Sequence, residues 1–124
     1  MPGTEIHSGR CHCGRVSFEV KLDNGLNELS RCDCSLCRRR SAIVSPVPLE
    51  NFRLTGGEEY LTLYQFNTNT AKHYFCRCCG IYTHHQRRSH PDQYSFNVGC
   101  LDGINPYELG DVILHDGVNH PSDR

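Results

Sequence analysis

Nothing in this chain narrows its folding options as much as its cysteines. Nine occur in 124 residues, and eight fall into tight groups: Cys11 and Cys13 in CHCG, Cys32, Cys34 and Cys37 in CDCSLC, Cys76, Cys78 and Cys79 in CRCCG. An odd number of thiols cannot pair completely, and the N-terminal MPGTEIHSGR has no apolar core of signal-peptide length. In a reducing compartment such thiols serve metals or catalysis in preference to disulfides. No segment approaches the roughly 20 apolar residues of a membrane span, so the expectation is a soluble, cytoplasmic protein.

Thiolate pairs separated by one or two residues and followed by glycine make zinc knuckles, because the tight turn aims both sulfurs and nearby N–H groups at one ion. Cys11 and Cys13 precede Gly14, and Cys76 and Cys79 precede Gly80. Joined, they give a closed four-cysteine structural zinc site tying the first strand to the middle of the chain. Cys78 competes with Cys76 and Cys79 for a place in the second knuckle. Cys32, Cys34 and Cys37 then remain as a three-thiolate set, and catalytic zinc commonly has three protein ligands and an open fourth position. A water or a substrate sulfur would complete it. A rival partition joins Cys11 and Cys13 to two of the CDCSLC cysteines and leaves Cys76 to Cys79 apart. Cys100, in NVGCLDG, reads as a buried neutral thiol on a strand.

The polypeptide between these groups has strand character. Val16, Phe18, Val20 and Leu22 alternate with Ser17, Glu19 and Lys21, the period of a strand with one buried face. Asn24-Gly25 is a turn signal. SAIVSPVPLENFRLTGG is β-branched but interrupted by Pro46 and Pro48, which predicts short edge strands. EYLTLYQFNT alternates as a strand with both faces partly covered, AKHYFCRCCGIYTHH reads as two strands joined at the second knuckle, and QYSFNVGCLDG as a strand ending in a turn. No window repeats apolar residues at helical spacing, although NPYELGD has the makings of one helical turn. The fold class is therefore all-β: several small antiparallel sheets organised around the knuckles, in a single domain over residues 1–124 with a loose tail at 115–124. Only 37% of residues are hydrophobic and there is no Trp, so metal–thiolate bonds are expected to support a lean core.

Lys plus Arg (13) nearly balance Asp plus Glu (14), which excludes the global positive field of a nucleic-acid binder. Only Arg38, Arg39 and Arg40 form a basic run. They would offset the negative charge of a three-thiolate zinc and bind substrate carboxylates, with a solvent-facing role as the plain alternative for any one of them. His84 and His85 point to opposite faces of a strand, so at most one reaches a site as a general acid or base. His12 is expected to face outward. Lys72, Arg87 and Arg88 are further carboxylate-binding candidates at a strand end.

The order GRCHCGRVSFEV, RCDCSLCRR, AKHYFCRCCGIYTHHQRR and YSFNVGCLDG resembles the glutathione-dependent formaldehyde-activating family, also called centromere-protein-V-like, over nearly the whole chain. The resemblance implies a coiled set of small β-sheets with two zinc sites: Cys11, Cys13, Cys76 and Cys79 structural, Cys32, Cys34 and Cys37 catalytic. It further implies condensation of glutathione with formaldehyde to S-(hydroxymethyl)glutathione, a carbon–sulfur lyase reaction run in reverse; on the charge argument above, Arg38 and Arg39 are the residues expected at the carboxylates of such a thiol. The expected partners are a small thiol and a small aldehyde, with neither membrane nor nucleic acid. The competing expectation is a non-catalytic, zinc-stabilised binding module whose Arg38–Arg40 patch contacts an acidic partner.

Overall fold

A computed structural model describes residues 4–23, 25–66, 69–88, 90–110 and 112–115. Asn24 of the expected turn and nearly all of the expected tail lie outside the described residues. The strands are β1 (Glu5–Arg10), β2 (Ser17–Leu22), β3 (Ser30–Cys32), β4 (Val44–Pro48), β5 (Phe52–Gly56), β6 (Leu61–Tyr64), β7 (Lys72–Cys76), β8 (Tyr82–Gln86), β9 (Gln93–Asn97) and β10 (Ile113–His115). They form a three-stranded sheet, β1-β2-β5, and a seven-stranded sheet, β10-β3-β4-β9-β8-β7-β6. The mainly β class stands, with one departure from purely antiparallel pairing: β10 runs parallel to β3, His115 opposite Cys32.

The alternation in β2 does what its period dictates. Phe18, Val20 and Leu22 are buried with Ile43, Val47, Phe96, Val98 and Leu101, so the core lies where β2 meets β4 and β9. Phe18 stacks on Phe52 of β5 at 5.0 Å between centroids. A fully buried side chain of this size contributes roughly 1.5–3 kcal/mol from burial alone. Strand β1 carries no apolar alternation of its own; it pairs with β2 along six residues and packs Gly9 beneath the Phe18 ring.

Several local expectations are corrected. Strand β4 is not an edge, since it sits between β3 and β9. Ile43 accepts a hydrogen bond from the Val98 N–H at 2.9 Å, so by alternation Ser45 and Val47 address β9 while Pro46 and Pro48 face the other side. There β3 pairs only at Ser30 with Val44, and no ladder donor is missed at either proline. Strand β6 stops at Tyr64, with Leu63 and Tyr64 exposed, and Tyr60 belongs to a 3-10 turn before it. Cys100 lies in a 3-10 turn, Val98–Cys100, rather than on a strand; burial pushes its thiol up to about 12, so it is the neutral buried group expected. The four-residue helix α1, Cys37–Arg40, is unexpected, being too short to show periodicity. In the NPYELGD segment, Pro106–Glu108 forms a 3-10 turn; Asp111 lies outside the described residues.

Candidate metal centres

Two cysteine clusters assemble. The sulfurs of Cys11, Cys13, Cys76 and Cys79 lie within 4.8 Å of one another, as do those of Cys32, Cys34 and Cys37. The CDCSLC cysteines meet each other and not Cys11 or Cys13, so the structure does not bring together the set that the rival partition requires. None of the nine thiols forms a disulfide.

The four-cysteine cluster is made by two turns of the same design. In the first, the Cys11 N–H donates to the Val16 carbonyl at 3.0 Å and the Gly14 N–H to the Cys11 carbonyl at 3.2 Å. In the second, the Cys76 N–H donates to Ile81 at 3.0 Å and the Gly80 N–H to Cys76 at 2.7 Å. Gly14 and Gly80 have φ of 81° and 78°, a region that a side chain would strain. Backbone N–H groups reach the sulfurs themselves, Val16 to Cys11 at 3.4 Å and Cys78 to Cys76 at 3.3 Å. Cys78 thus supplies its N–H, while its own thiol is exposed and stands outside the cluster.

Sulfurs bound tetrahedrally to zinc at about 2.3 Å sit about 3.8 Å apart. Cys11 and Cys13 are separated by 3.6 Å, Cys13 and Cys76 by 3.7 Å. The donor set and its spacing therefore fit a zinc-sized ion. The Arg15 backbone N–H and guanidinium bring the Cys13 thiol down to about 6, while burial holds that of Cys76 up at about 12.

The three-cysteine cluster has a different character. Strand β3 delivers Cys32, a turn delivers Cys34, and the first residue of α1 is Cys37, whose N–H donates to the Cys34 sulfur at 3.3 Å. All three are half-buried, and among the described residues no fourth Cys, His, Asp or Glu joins them. Hydrogen bonds from Cys32 and Cys37 bring the Cys34 thiol down, whereas Cys32 is raised, first by Cys34, and Cys37 is raised, first by Cys32 and then by Cys34. Three such sulfurs ionise together only beside a cation.

The arginine at this cluster is Arg40. Its Nη2 donates to the Cys37 sulfur at 3.7 Å. Arg38 and Arg39, expected at the glutathione, are exposed on α1, and Arg39 is occupied with the Ser35 carbonyl at 2.7 Å. Ser41 ends the helix in the left-handed region with φ of 52° and caps the Arg38 carbonyl through its hydroxyl.

Behind Arg40 stands the β7–β8 hairpin. Its register slips between Tyr74 and Phe75, leaving Thr83 as the extra residue of a bulge. A bulge re-aims the residues beside it, and here Tyr82 and His85 share a face. The Tyr82 hydroxyl lies 2.5 Å from His85 Nδ1. His84 points the other way, buried among Phe52, Tyr74 and Tyr94 at 4.3, 4.8 and 5.2 Å, far from any acid–base task. His12 is exposed as expected, Lys72 is exposed, and Arg87 donates to the Gln93 amide oxygen at 2.9 Å. Residue-by-residue reading missed His73 and Tyr82; the available signal was the hairpin itself, since closure over Cys76–Gly80 sets His73 opposite His85.

A profile of the family described as glutathione-dependent formaldehyde-activating enzyme matches residues 6–112. The chain belongs to this family. Within the glutathione-dependent formaldehyde-activating family, a Penicillium rubens protein provisionally named as such an enzyme is 30% identical over 88 residues. The match takes in 65% of this chain and 46% of that protein, so the chain spans about half the length of this curated relative. A crystal structure of a Rhodobacter sphaeroides protein is 57% identical, with a TM-score of 0.84 over 87% of this chain and 99% of that one. Among the described residues no helix is long and apolar enough to cross a membrane.

Proposed function

We propose that this chain is a zinc-dependent carbon–sulfur lyase of the S-(hydroxymethyl)glutathione synthase type, joining a small thiol, glutathione, to a small aldehyde, formaldehyde. The observation that carries the reading is the contrast between the clusters: four sulfurs closed around one point, and three half-exposed sulfurs with no fourth protein ligand among the described residues. Cys11, Cys13, Cys76 and Cys79 would hold a structural zinc, and Cys32, Cys34 and Cys37 a catalytic one. A zinc ion at the second site would supply a Lewis-acidic position that favours the deprotonated form of an incoming thiol.

The condensation forms one C–S bond, breaks the C=O π bond and places the thiol proton on oxygen, with no change of oxidation state. The chain's part is to bind and orient. Exposed Arg38 and Arg39 are within the same helix as Cys37 and suit the carboxylates of a peptide thiol. His84 is not a proton carrier, because its ring is enclosed in the aromatic core. The family match and the provisional name of the Penicillium rubens relative support formaldehyde and glutathione as the pair. The work belongs in the cytoplasm, where thiols stay reduced, and in a single domain.

The test is the exchange rate between free and adduct formaldehyde in glutathione solution, read by equilibrium NMR for zinc-loaded protein, Cys34→Ser and buffer. Acceleration by wild type alone, with Cys34→Ser folded and keeping one zinc, supports the proposal. Rates equal to buffer refute it and favour a binding module whose exposed Arg38 and Arg39 meet an acidic partner.

A further inference from the structure

Arg40 is held more tightly than any surface arginine needs to be. Its guanidinium carbon lies 3.7 Å from the centroid of the Tyr82 ring. One terminal nitrogen meets His73 Nδ1 at 3.1 Å, the other His85 Nδ1 at 3.3 Å. Tyr82 is itself fixed, its hydroxyl between His85 Nδ1 at 2.5 Å and the Ser95 carbonyl at 3.3 Å. Tyr82, His73 and Ser95 are buried.

A guanidinium has five donors and no acceptor. His73 therefore accepts at Nδ1 and is neutral, with its remaining proton on Nε2; His85 Nδ1 likewise carries no proton, its one lone pair shared between the Arg40 guanidinium at 3.3 Å and the nearer Tyr82 hydroxyl at 2.5 Å, which directs its proton there. Burial and the Arg40 charge agree, pushing His73 down to about 4 and His85 well below 6.5. Among the described residues no carboxylate lies within ion-pair distance of Arg40. A permanent cation has thus been packed against an aromatic ring and two neutral acceptors, and the group left to answer its charge is the Cys37 sulfur, 3.7 Å from Nη2.

We propose that Arg40, locked by His73, His85 and Tyr82, is the positioning residue of the three-cysteine site, supplying the fixed positive charge that lets it accept one more anionic sulfur ligand. This rests on the open-site reading above and narrows it. A divalent ion with three thiolates is already net negative, and a fourth thiolate enters against that charge unless a cation is held beside it. Arg38 and Arg39 are left for the distal carboxylates; Arg40 acts on the sulfur end through Cys37.

The experiment uses full-length protein loaded with cobalt(II), whose thiolate charge-transfer bands report each sulfur bound. The probes are 2-mercaptoethanol, a thiol without carboxylates, and imidazole, a neutral ligand. Arg40→Met should keep the resting spectrum and weaken mercaptoethanol binding about tenfold or more, the effect of losing one charge-assisted contact, with imidazole unchanged. Arg40→Lys should recover part of the loss. Equal weakening of both probes would assign Arg40 a merely structural role and overturn the proposal, as would unchanged thiol binding. Should Arg40→Met fail to fold, Tyr82→Leu, which removes the ring under the guanidinium, is read by the same two titrations and the same criteria. Failure of wild type to take up any thiol would sink the open-site reading itself, a result separable from failure of Arg40 alone.

Discussion

His84 offers the sharpest check on the arrangement of the hairpin, because its position converts into a stability that depends on pH. The ring is enclosed by Phe52, Tyr74 and Tyr94, and Thr83 Oγ1 meets its Nδ1 at 2.9 Å. Burial lowers its pKa from 6.5 to about 3. The folded value lies below the unfolded one, so below about pH 6.5 the unfolded chain takes up a proton that the folded chain refuses. The stabilisation is complete above 6.5 and drains away as pH falls towards 3. At pH 5 the gap from 6.5 is about 1.5 pH units; at about 1.4 kcal/mol per unit, His84 withdraws about 2 kcal/mol of stability.

His84→Phe keeps a ring in an aromatic cage and removes the titration. Urea denaturation of zinc-loaded wild type and variant at pH 7.5 and pH 5 isolates the effect, since cysteine protonation and metal loss act on both proteins alike. Wild type should lose about 2 kcal/mol more than the variant between the two pH values. Equal losses would mean that His84 is solvated in the folded protein and that the hairpin does not face the core as described.

Two further outcomes follow from backbone geometry and from the knuckle. Gly57 has φ of 80°, and a Cβ there would lie 1.8 Å from the Arg15 carbonyl oxygen, so Gly57→Ala should destabilise by at least about 3 kcal/mol in denaturant titrations. Cys78→Ser, which alters an exposed thiol outside the cluster and keeps the N–H to Cys76, should leave zinc stoichiometry by mass spectrometry unchanged, whereas Cys76→Ser should remove the four-cysteine metal and the fold with it.

What could be read from sequence depended on whether a residue's role was written in local spacing. The two knuckles were legible because Gly14 and Gly80 mark turns that only certain backbones make, and β2 because its alternation directly states a buried face. Strand β1 was illegible, since EIHSGR buries a glycine and takes its order from pairing with β2. The prolines of β4 suggested an edge because sequence does not say which side of a strand a missing donor faces. Arg40 could not be told from Arg38 and Arg39: three identical residues differ only in helical phase, and α1 has no pattern to set it. His73 and Tyr82 needed the register of the hairpin, including its bulge.

The β7–β8 hairpin carries Cys76 and Cys79 at its tip and, along its arms, the residues that lock Arg40. That shared beam makes the two sites unequal in their dependence. With a metal in each cluster, as proposed above, loss from the three-cysteine site would leave the beam braced at its tip, whereas loss from the four-cysteine site would free the tip and slacken the clamp on Arg40 with it, so one turn of backbone would serve as the brace of both.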